Sequence, residues 1–227
     1  MTRTSTVVSE QRSALLAHLA GTITALPADR PLRVAVDGVD GAGKTMFADE
    51  LGAAVSSRGR AVVRASVDGF HHPRAVRYQR GRDSPEGFYR DSYDYAALRE
   101  RLLDPFGPGG SRRFTHAVFD HAADAVVNAP TQTAAEGSVL VLDGIFLHRG
   151  ELRGLWDFSI FLDVGFDVSI ARCAARDGGS PDPAAAPNRR YVDGQQLYLA
   201  EARPHEQARV VVDNTDLARP RILAARR

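Results

Sequence analysis

One octapeptide has the residue types and spacing of a site for a nucleoside triphosphate. The pattern G-x-x-x-x-G-K-[ST] is matched by Gly38-Val39-Asp40-Gly41-Ala42-Gly43-Lys44-Thr45. Glycines let backbone N–H groups turn inward around phosphate oxygens, and the helix expected to begin here adds positive potential. Lys44 should reach the β- and γ-phosphates, and Thr45 should offer its hydroxyl to Mg²⁺. The octapeptide therefore predicts binding of ATP, or of another nucleoside triphosphate, together with Mg²⁺.

The basic residues of the chain are divided very unequally between their two types. Of the 29 lysines and arginines, 28 are arginine, and the sole lysine is Lys44. An ammonium group is a compact point charge on a thin stem, whereas guanidinium is planar, forked and bulky. The single lysine thus stands where a tight phosphate-binding loop needs a small cation.

The elements that must position this loop can be predicted from apolar runs. Five runs rich in Val, Ile and Leu predict strands buried on both faces, at 32–37, 61–68, 138–143, 158–163 and 209–213. Helical patterns cover 9–26, 44–57, 95–103, 166–176 and 191–202. Alternating strands and helices predict a doubly wound α/β fold, with a mainly five-stranded parallel sheet and helices on both faces.

The length of 227 residues suits one domain spanning 1–227, since single cores of this size are common. Within it we expect a helical extension at 1–30, before the first strand. A mobile lid is expected at 177–190, because 177–187 is rich in Gly, Pro and Ala.

Each of the five predicted strands ends in an aspartate. Ligands of doubly wound sheets bind at the carboxyl ends of the strands, so these acids should face one crevice. Asp143 follows its apolar strand in the manner of a Walker-B acid, which predicts that it acts with Thr45 on Mg²⁺. Aspartate is also a common turn residue and helix cap after a strand, and this alternative applies to every one of the five.

Three segments together make the chain resemble the uridine kinase and phosphoribulokinase-like family of P-loop kinases. They are the octapeptide, Ser66-Val67-Asp68-Gly69-Phe70-His71 and Leu140-Val141-Leu142-Asp143-Gly144-Ile145-Phe146. The resemblance extends over about residues 33–220. It implies a P-loop fold of the nucleoside-kinase type and transfer of a γ-phosphate to a hydroxyl of a small molecule, with a nucleoside or nucleoside-like compound as the expected acceptor.

The resemblance also implies roles for individual residues. Asp68 corresponds to the acid that lies beside the acceptor hydroxyl, and it is the candidate base. Related uridine kinases usually carry Glu at the position of Asp143, so either Asp68 or Asp143 could lie closer to the metal. Lys44 and Arg176 are the other predicted catalytic residues. The predicted nucleotide-binding residues are Gly38, Asp40, Gly41, Ala42, Gly43, Lys44, Thr45, Met46 and Arg172.

The residues expected to bind the acceptor belong to less specific sequence motifs than the phosphate-binding octapeptide. Asp83-Ser84-Pro85-Glu86-Gly87-Phe88 resembles an Asp-His-Pro-x-x-Phe segment of uridine kinases, which implies that Asp83 holds ribose hydroxyls. The alternative is a solvated basic loop with Phe88 packed beneath it. The predicted substrate residues are Asp68, Phe70, His71, Arg74, Asp83 and Phe88.

Base recognition departs from the family pattern. Uridine kinases carry a Tyr-Asp-Phe segment with a downstream His, whereas this chain has Val118-Phe119-Asp120-His121, without the tyrosine hydroxyl. Uridine itself is therefore in doubt, and pantothenate, a sugar or nicotinamide riboside stay open as acceptors. His116 and His121 could face the acceptor or be ordinary surface residues.

Two arginines precede the predicted lid. Arg172 and Arg176 are four residues apart on one helix face, where a closing lid could bring them to the transferring phosphoryl group. An ordinary basic helix face is the alternative. Arg189 and Arg190 follow the lid loop and are weaker candidates than Arg176. The segment Asn214-Thr215-Asp216 resembles the family's adenine-side loop, and it also fits a helix cap.

Composition limits the partners. The 29 basic and 28 acidic residues nearly balance, which argues against a nucleic-acid or membrane surface and favours small molecules. Cys173 is the sole cysteine, so no internal disulfide can form. Without an apolar run of signal-peptide or membrane length, a cytoplasmic location is expected. The oligomeric state stays open.

Two rival functions remain at this stage. The octapeptide and its preceding Asp37 are also typical of thymidylate kinases, but the Asp-Arg segment expected to follow is missing. A regulatory module that binds a nucleotide without phosphorylating an acceptor is the rival from another class. A pure switch needs no acceptor base, so Asp68 distinguishes it from a kinase.

Overall fold

Six strands form the central sheet of the computed structural model, which describes residues 9–27 and 29–226. They are β1 (Leu32–Gly38), β2 (Val62–Ser66), β3 (Val139–Gly144), β4 (Phe158–Asp163), β5 (Val210–Asp213) and β6 (Arg221–Ala225). Their order in the sheet is β6-β5-β4-β1-β3-β2, and every pairing is parallel except that of β5 with β6. The predicted α/β fold with a mainly five-stranded parallel sheet is confirmed.

The helices follow the strands in the alternation expected of a doubly wound fold. They are α1 (Glu10–Thr24), α2 (Lys44–Ser56), α3 (Arg74–Arg77), α4 (Pro85–Asp91), α5 (Tyr95–Leu98), α6 (Phe166–Asp177), α7 (Ala186–Ala202) and α8 (Pro204–Gln207). The helix predicted at 95–103 begins as α5 and continues as one π-helical turn, Arg99–Leu103. Short 3₁₀ turns span Val67–Phe70, Asp104–Phe106 and Gly150–Leu152.

Both faces of the sheet are covered. One apolar cluster joins α1 and α2 to the sheet and contains Val34 and Val36 of β1. The other joins α4, α5 and α7 to the opposite face and contains Ala35. Successive side chains of a strand point to opposite faces, so β1 must be apolar at consecutive positions. The core therefore has two layers, with the sheet between them.

Some elements differ from the sequence prediction. The second strand ends at Ser66, two residues early, because the Ser66 hydroxyl accepts a hydrogen bond from the Asp68 N–H and starts a 3₁₀ turn. Strand β6 was not predicted, since all five of its residues are exposed and it pairs with β5 through the backbone. Two ribbons were also missed: Arg113–Phe114 with Gln132–Thr133, and Phe119–Asp120 with Ala125–Val126.

The predicted extension and lid are partly helical. Helix α1 begins after Ser9, whose side chain caps it, whereas residues 1–8 of the predicted extension lie outside the described residues. Helix α7 begins at Ala186, five residues before the predicted start, because Pro187 fits the first turn of a helix without losing a hydrogen bond. Only 178–185 remain non-helical between α6 and α7. The lid's mobility stays a prediction.

Within the part of the chain that the structure describes, every helix is too short or too polar to pass through a bilayer.

Candidate active site

The carboxyl ends of three adjacent strands bring the candidate groups together. Strand β3 lies between β1 and β2, and Asp143 is in register with Val36 on one side and Ser66 on the other. The phosphate-binding octapeptide leaves β1, and Asp68 follows β2 by two residues. The sheet topology therefore gathers three separate segments at one edge, as expected for doubly wound folds.

The octapeptide forms a tight loop that leads into α2. Gly43 caps the helix in the left-handed conformation, with φ of 86°. Gly41 also has positive φ, and a Cβ there would lie 2.1 Å from the Ser169 carbonyl oxygen, so no side chain fits. The Lys44 ammonium donates to the Val39 carbonyl at 2.8 Å and so folds back over the loop. Backbone N–H groups and one cation thus converge where phosphates would bind.

Two oxygen ligands for a hard cation lie side by side. The Thr45 hydroxyl donates to Asp143 Oδ2 at 2.7 Å, and Asp143 is only 2% exposed. Mg²⁺ is commonly held by one or two protein oxygens, with phosphate and water oxygens completing the octahedron. Among the described residues no group of three or more His, Cys, Asp or Glu could hold a metal by itself. The pair therefore fits a magnesium ion that arrives with a nucleotide.

Arg64 of β2 fixes the other oxygen of this carboxylate. Its guanidinium donates to Asp143 Oδ1 at 2.9 Å and to Asp49 Oδ1 of α2 at 2.9 Å. Asp143 is thus oriented from two sides. The sequence reasoning missed Arg64, although a cation within the otherwise apolar β2 was the available signal.

Asp68 lines the same cleft as Lys44, Thr45 and Asp143. The Tyr93 hydroxyl donates to Asp68 Oδ1 at 3.1 Å, and Tyr93 is 5% exposed. Burial, together with the nearby carboxylates of Asp68 and Asp40, raises the pKa of Tyr93 well above its ordinary value, so the phenol keeps its proton. The phenol therefore acts as a fixed donor that orients the carboxylate. Sequence reasoning missed Tyr93, because no spacing distinguishes it from neighbouring tyrosines.

A wall of flat rings adjoins Asp68. His71 stacks on His121 with ring centroids 4.6 Å apart, and it also contacts Tyr93 at 4.4 Å. His71 Nδ1 lies 3.0 Å from the Asp68 carbonyl oxygen. Burial is the largest influence on the imidazole of His71 and lowers its pKa, so this ring is neutral at pH 7. The aromatic rings of His71, His121 and Tyr93 thus lie next to one another beside Asp68.

A cleft of about 320 Å³ contains most of the predicted groups. The predicted site residues that line it are Asp40, Gly41, Gly43, Lys44, Thr45, Met46, Asp68, Asp143 and Arg176. A second cavity of about 360 Å³ lies between α6 and α7 and shares Asp40 and Arg176 with the first. Burial raises the pKa of Asp40, Lys44 opposes this, and Asp68 adds to it. The two cavities thus meet at the phosphate-binding loop.

Several residues predicted for the acceptor lie elsewhere. Phe70 is fully buried in the core, and Phe88 is buried against Phe146 and Tyr191. Arg74 is exposed, and its backbone N–H donates to Asp124. The exposed Asp83 precedes α4 and does not line the cleft. His116 packs its ring on Phe114. Phe70 and Phe88 lie in the core because burial of a large aromatic side chain is strongly favourable.

The candidate arginines occupy three different settings. Arg176 lies at the edge of the cleft and pairs with Asp177 at 2.7 Å, which raises the pKa of Arg176. Arg172 donates to the carbonyls of Gly41, Asn214 and Thr215. Arg190 is buried and donates to carbonyls of the segment 77–84, so it joins that segment to α7. Arg189 is exposed. Only Arg176 of these four lines the cleft around Lys44.

Comparisons with known proteins bear on the family of the chain and on its fold. The sequence model of the Phosphoribulokinase / Uridine kinase family matches residues 34–180. A pantothenate kinase from Serratia proteamaculans (strain 568) is 29% identical over 147 residues, which cover 59% of this chain and 46% of that protein. The chain thus spans about half the length of this curated relative.

Solved structures share the fold. A possible uridine kinase from Bacillus stearothermophilus matches with a TM-score of 0.68 and 24% identity, over 86% of this chain and 96% of that one. Phosphoribulokinase from Rhodobacter spheroides matches with a TM-score of 0.54 and 17% identity, over 85% of this chain and 75% of that one. At these identities the likeness concerns the fold alone.

Proposed function

Because the chain belongs to the phosphoribulokinase and uridine kinase family, we propose that it transfers the γ-phosphate of ATP to a hydroxyl of a nucleoside or nucleoside-like compound. The observation that carries the proposal is the placement of Asp68 in one cleft with Lys44 and the Thr45–Asp143 pair. A carboxylate opposite a phosphate-binding loop has the position needed to accept the proton of an attacking alcohol.

The proposed reaction needs positioning more than covalent chemistry. Phosphoryl transfer passes through a loose, in-line transition state whose charge spreads over the equatorial oxygens. Lys44 and the loop amides bind these oxygens, and Arg176 approaches them from the end of α6. Asp68, oriented by Tyr93, accepts the hydroxyl proton late in the transfer. Thr45 and Asp143 would hold Mg²⁺, which when bound neutralises phosphate charge.

The charges around the cleft support an acceptor without a negative charge near its reacting hydroxyl. With Lys44 and Arg176 directed to phosphates and Asp143 to the metal, the ionisable side chains left in the cleft lining are Asp40, Asp68 and Tyr93. Two carboxylates repel an anionic acceptor and accept hydrogen bonds from hydroxyl groups. His71 and His121 do not line the cleft, but they adjoin Asp68, and the exposed ring of His121 leaves aromatic surface on which a planar base can stack. The carboxylates disfavour an anionic acceptor, and the aromatic surface favours a compound with a planar base over a free sugar.

A panel of acceptors tests the proposal. The purified chain would be incubated with Mg²⁺-ATP and, separately, uridine, cytidine, nicotinamide riboside, pantothenate and free sugars, and ADP and phosphorylated product would be quantified. We expect a phosphorylated nucleoside. Phosphorylation of pantothenate, a sugar or nicotinamide riboside alone would support the alternative of another small-alcohol kinase. Tight ATP binding without turnover of any acceptor would instead favour a regulatory nucleotide-binding protein.

The Tyr93–Asp68 hydrogen bond gives a sharper prediction. Tyr93→Phe removes the donor but keeps the buried ring, so the fold should persist while Asp68 loses its orientation. We expect kcat to fall by about tenfold, which corresponds to one lost hydrogen bond to a charged group. ATP affinity, measured by calorimetry, should stay within about twofold, since the phenol contacts no predicted nucleotide ligand. An unchanged kcat would contradict the orienting role, and Tyr95→Phe serves as a matched control on a nearby buried phenol.

A further inference from the structure

A buried arginine of α1 reaches towards the phosphate-binding loop from outside the family-matched region. Arg12 is only 3% exposed, and it lies 22 residues before the matched residues begin at 34. Its Nε donates to Glu50 Oε2 of α2 at 2.5 Å, and its guanidinium lies over the Phe47 ring at 5.4 Å. Arg12 is therefore anchored on the helix that carries the phosphate-binding loop.

The other edge of the same guanidinium holds the segment after β5. Arg12 Nη1 donates to Asn214 Oδ1 at 3.3 Å and to the Leu217 carbonyl at 2.9 Å. The helix cap of α1 touches this segment as well, since the Ser9 hydroxyl donates to the Ala218 carbonyl. The first turn of α1 thus fixes the position of residues 214–218.

Asn214 passes this restraint to the phosphate-binding loop. It is fully buried, and its Nδ2 donates to the Ala42 carbonyl at 2.7 Å. A Cβ on Gly43 would lie 3.1 Å from the same Nδ2, so the amide packs directly against the loop. Arg172 supports the opposite side by donating to the carbonyls of Asn214 and Gly41. Ala42 and Gly43 are two of the residues whose backbone must face the phosphates.

We propose that Arg12 is a positioning residue for the nucleotide, acting through Asn214 on the conformation of the loop at Ala42 and Gly43. A guanidinium can satisfy an acid and two carbonyl-type acceptors at once because its donors form a rigid fork. Fixing the loop before the ligand arrives lowers the entropy lost on binding, which strengthens affinity. The inference rests on the proposed nucleotide site but not on the identity of the acceptor.

Calorimetric binding of Mg²⁺-ATP, with no acceptor present, tests the inference. We expect Arg12→Met to raise the Kd for ATP by about tenfold, as the loss of charge-assisted hydrogen bonds predicts. The acceptor KM at saturating ATP should stay within about twofold, since the Arg12 side chain donates to Glu50, Asn214 and Leu217 rather than to Asp68. Arg58→Met is the control: Arg58, just after α2, also contacts α1, by donating to the Ala17 carbonyl at 3.1 Å, but its side-chain hydrogen bond does not reach residues 214–218. Its Kd should equal that of the unaltered chain.

A double-mutant cycle separates this role from general stability. If Arg12 acts through Asn214, the variant Arg12→Met/Asn214→Ala should bind ATP within about twofold of Asn214→Ala alone. Should Arg12→Met fail to fold in thermal melting, Arg12→Lys replaces it, because lysine keeps the charge beside Glu50 without the fork. Unaltered ATP affinity in a folded Arg12 variant, or fully additive effects, would overturn the inference alone. Absence of ATP binding by the unaltered chain would overturn the proposed function together with it.

Discussion

Replacing Lys44 with alanine should abolish phosphoryl transfer while the fold is retained. Lys44 supplies the ammonium group of the phosphate-binding loop and the only lysine charge in the protein, and no neighbouring lysine can substitute for it. Loss of a preorganised charge that stabilises the transition state costs about 10³-fold in rate. The loss of activity should not come from unfolding, because Lys44 is only partly buried and its described hydrogen bond is to the Val39 carbonyl of the same loop.

ADP release in the presence of the identified acceptor measures the effect, and thermal melting establishes that the variant is folded. Lys44→Arg should be nearly as inactive as Lys44→Ala, because a planar, forked guanidinium does not reproduce the compact ammonium group that folds back to the Val39 carbonyl. Arg101→Ala, which removes an exposed cation far along the chain, controls for the loss of one positive charge. Turnover at the unaltered rate in Lys44→Ala would refute the assignment of the phosphate-binding loop.

Replacing Asp68 with asparagine should reduce acceptor phosphorylation by more than about a hundredfold and leave ATP binding intact. Asparagine keeps the size and one hydrogen-bond acceptor for Tyr93, but an amide cannot take up the proton of the attacking hydroxyl. The loss should therefore appear in kcat, with little change in the Kd of Mg²⁺-ATP, because the thermodynamics of nucleotide binding depend on the loop, Thr45 and Asp143.

Single-turnover kinetics and calorimetry separate the two quantities for Asp68→Asn. Asp163→Asn is a matched control, since Asp163 also ends a strand of the sheet but pairs with His205 outside the cleft. Its turnover should match that of the unaltered chain. If Asp68→Asn turned over normally, Asp68 would be removed from the mechanism, and it would no longer distinguish a kinase from a regulatory nucleotide-binding protein.

The elements that could be predicted are those whose residues show a local pattern, either a run of buried apolar side chains or a motif with fixed spacing. Strand β4 was predicted with both of its ends, because all but one of its residues are buried and only Ser159 interrupts the apolar run that precedes Asp163. The turn from β1 into α2 was predicted because glycines and Lys44 have a fixed spacing in a motif with a physical reason for each residue. Strand β6 escaped prediction because its exposed residues carry no burial pattern.

The site could be predicted only where its residues belong to such local motifs. Tyr93 reaches Asp68 across 25 positions of the chain, and Arg12 reaches Asn214 across 202. The periodicity and spacing of residues in the sequence do not indicate such contacts, because they form only when the sheet brings distant segments of the chain together. Phe70 illustrates the reverse case: it lies within a functional segment, yet the fold uses it as core. Motifs therefore located the edge of the sheet at which the candidate site lies, whereas packing decided which other side chains lie beside it.

The solitary lysine has a consequence for chemical modification. The sequence contains a single ε-amino group, that of Lys44, with which amine-directed acylating reagents can react. The extent of acylation of Lys44, measured by mass spectrometry with and without nucleotide, should therefore report whether the phosphate-binding loop is occupied. Acetylation of a lysine removes its positive charge. In a protein with many surface lysines, acetylation can modify residues outside the functional site. In this chain, any acetylation of a lysine side chain must modify Lys44.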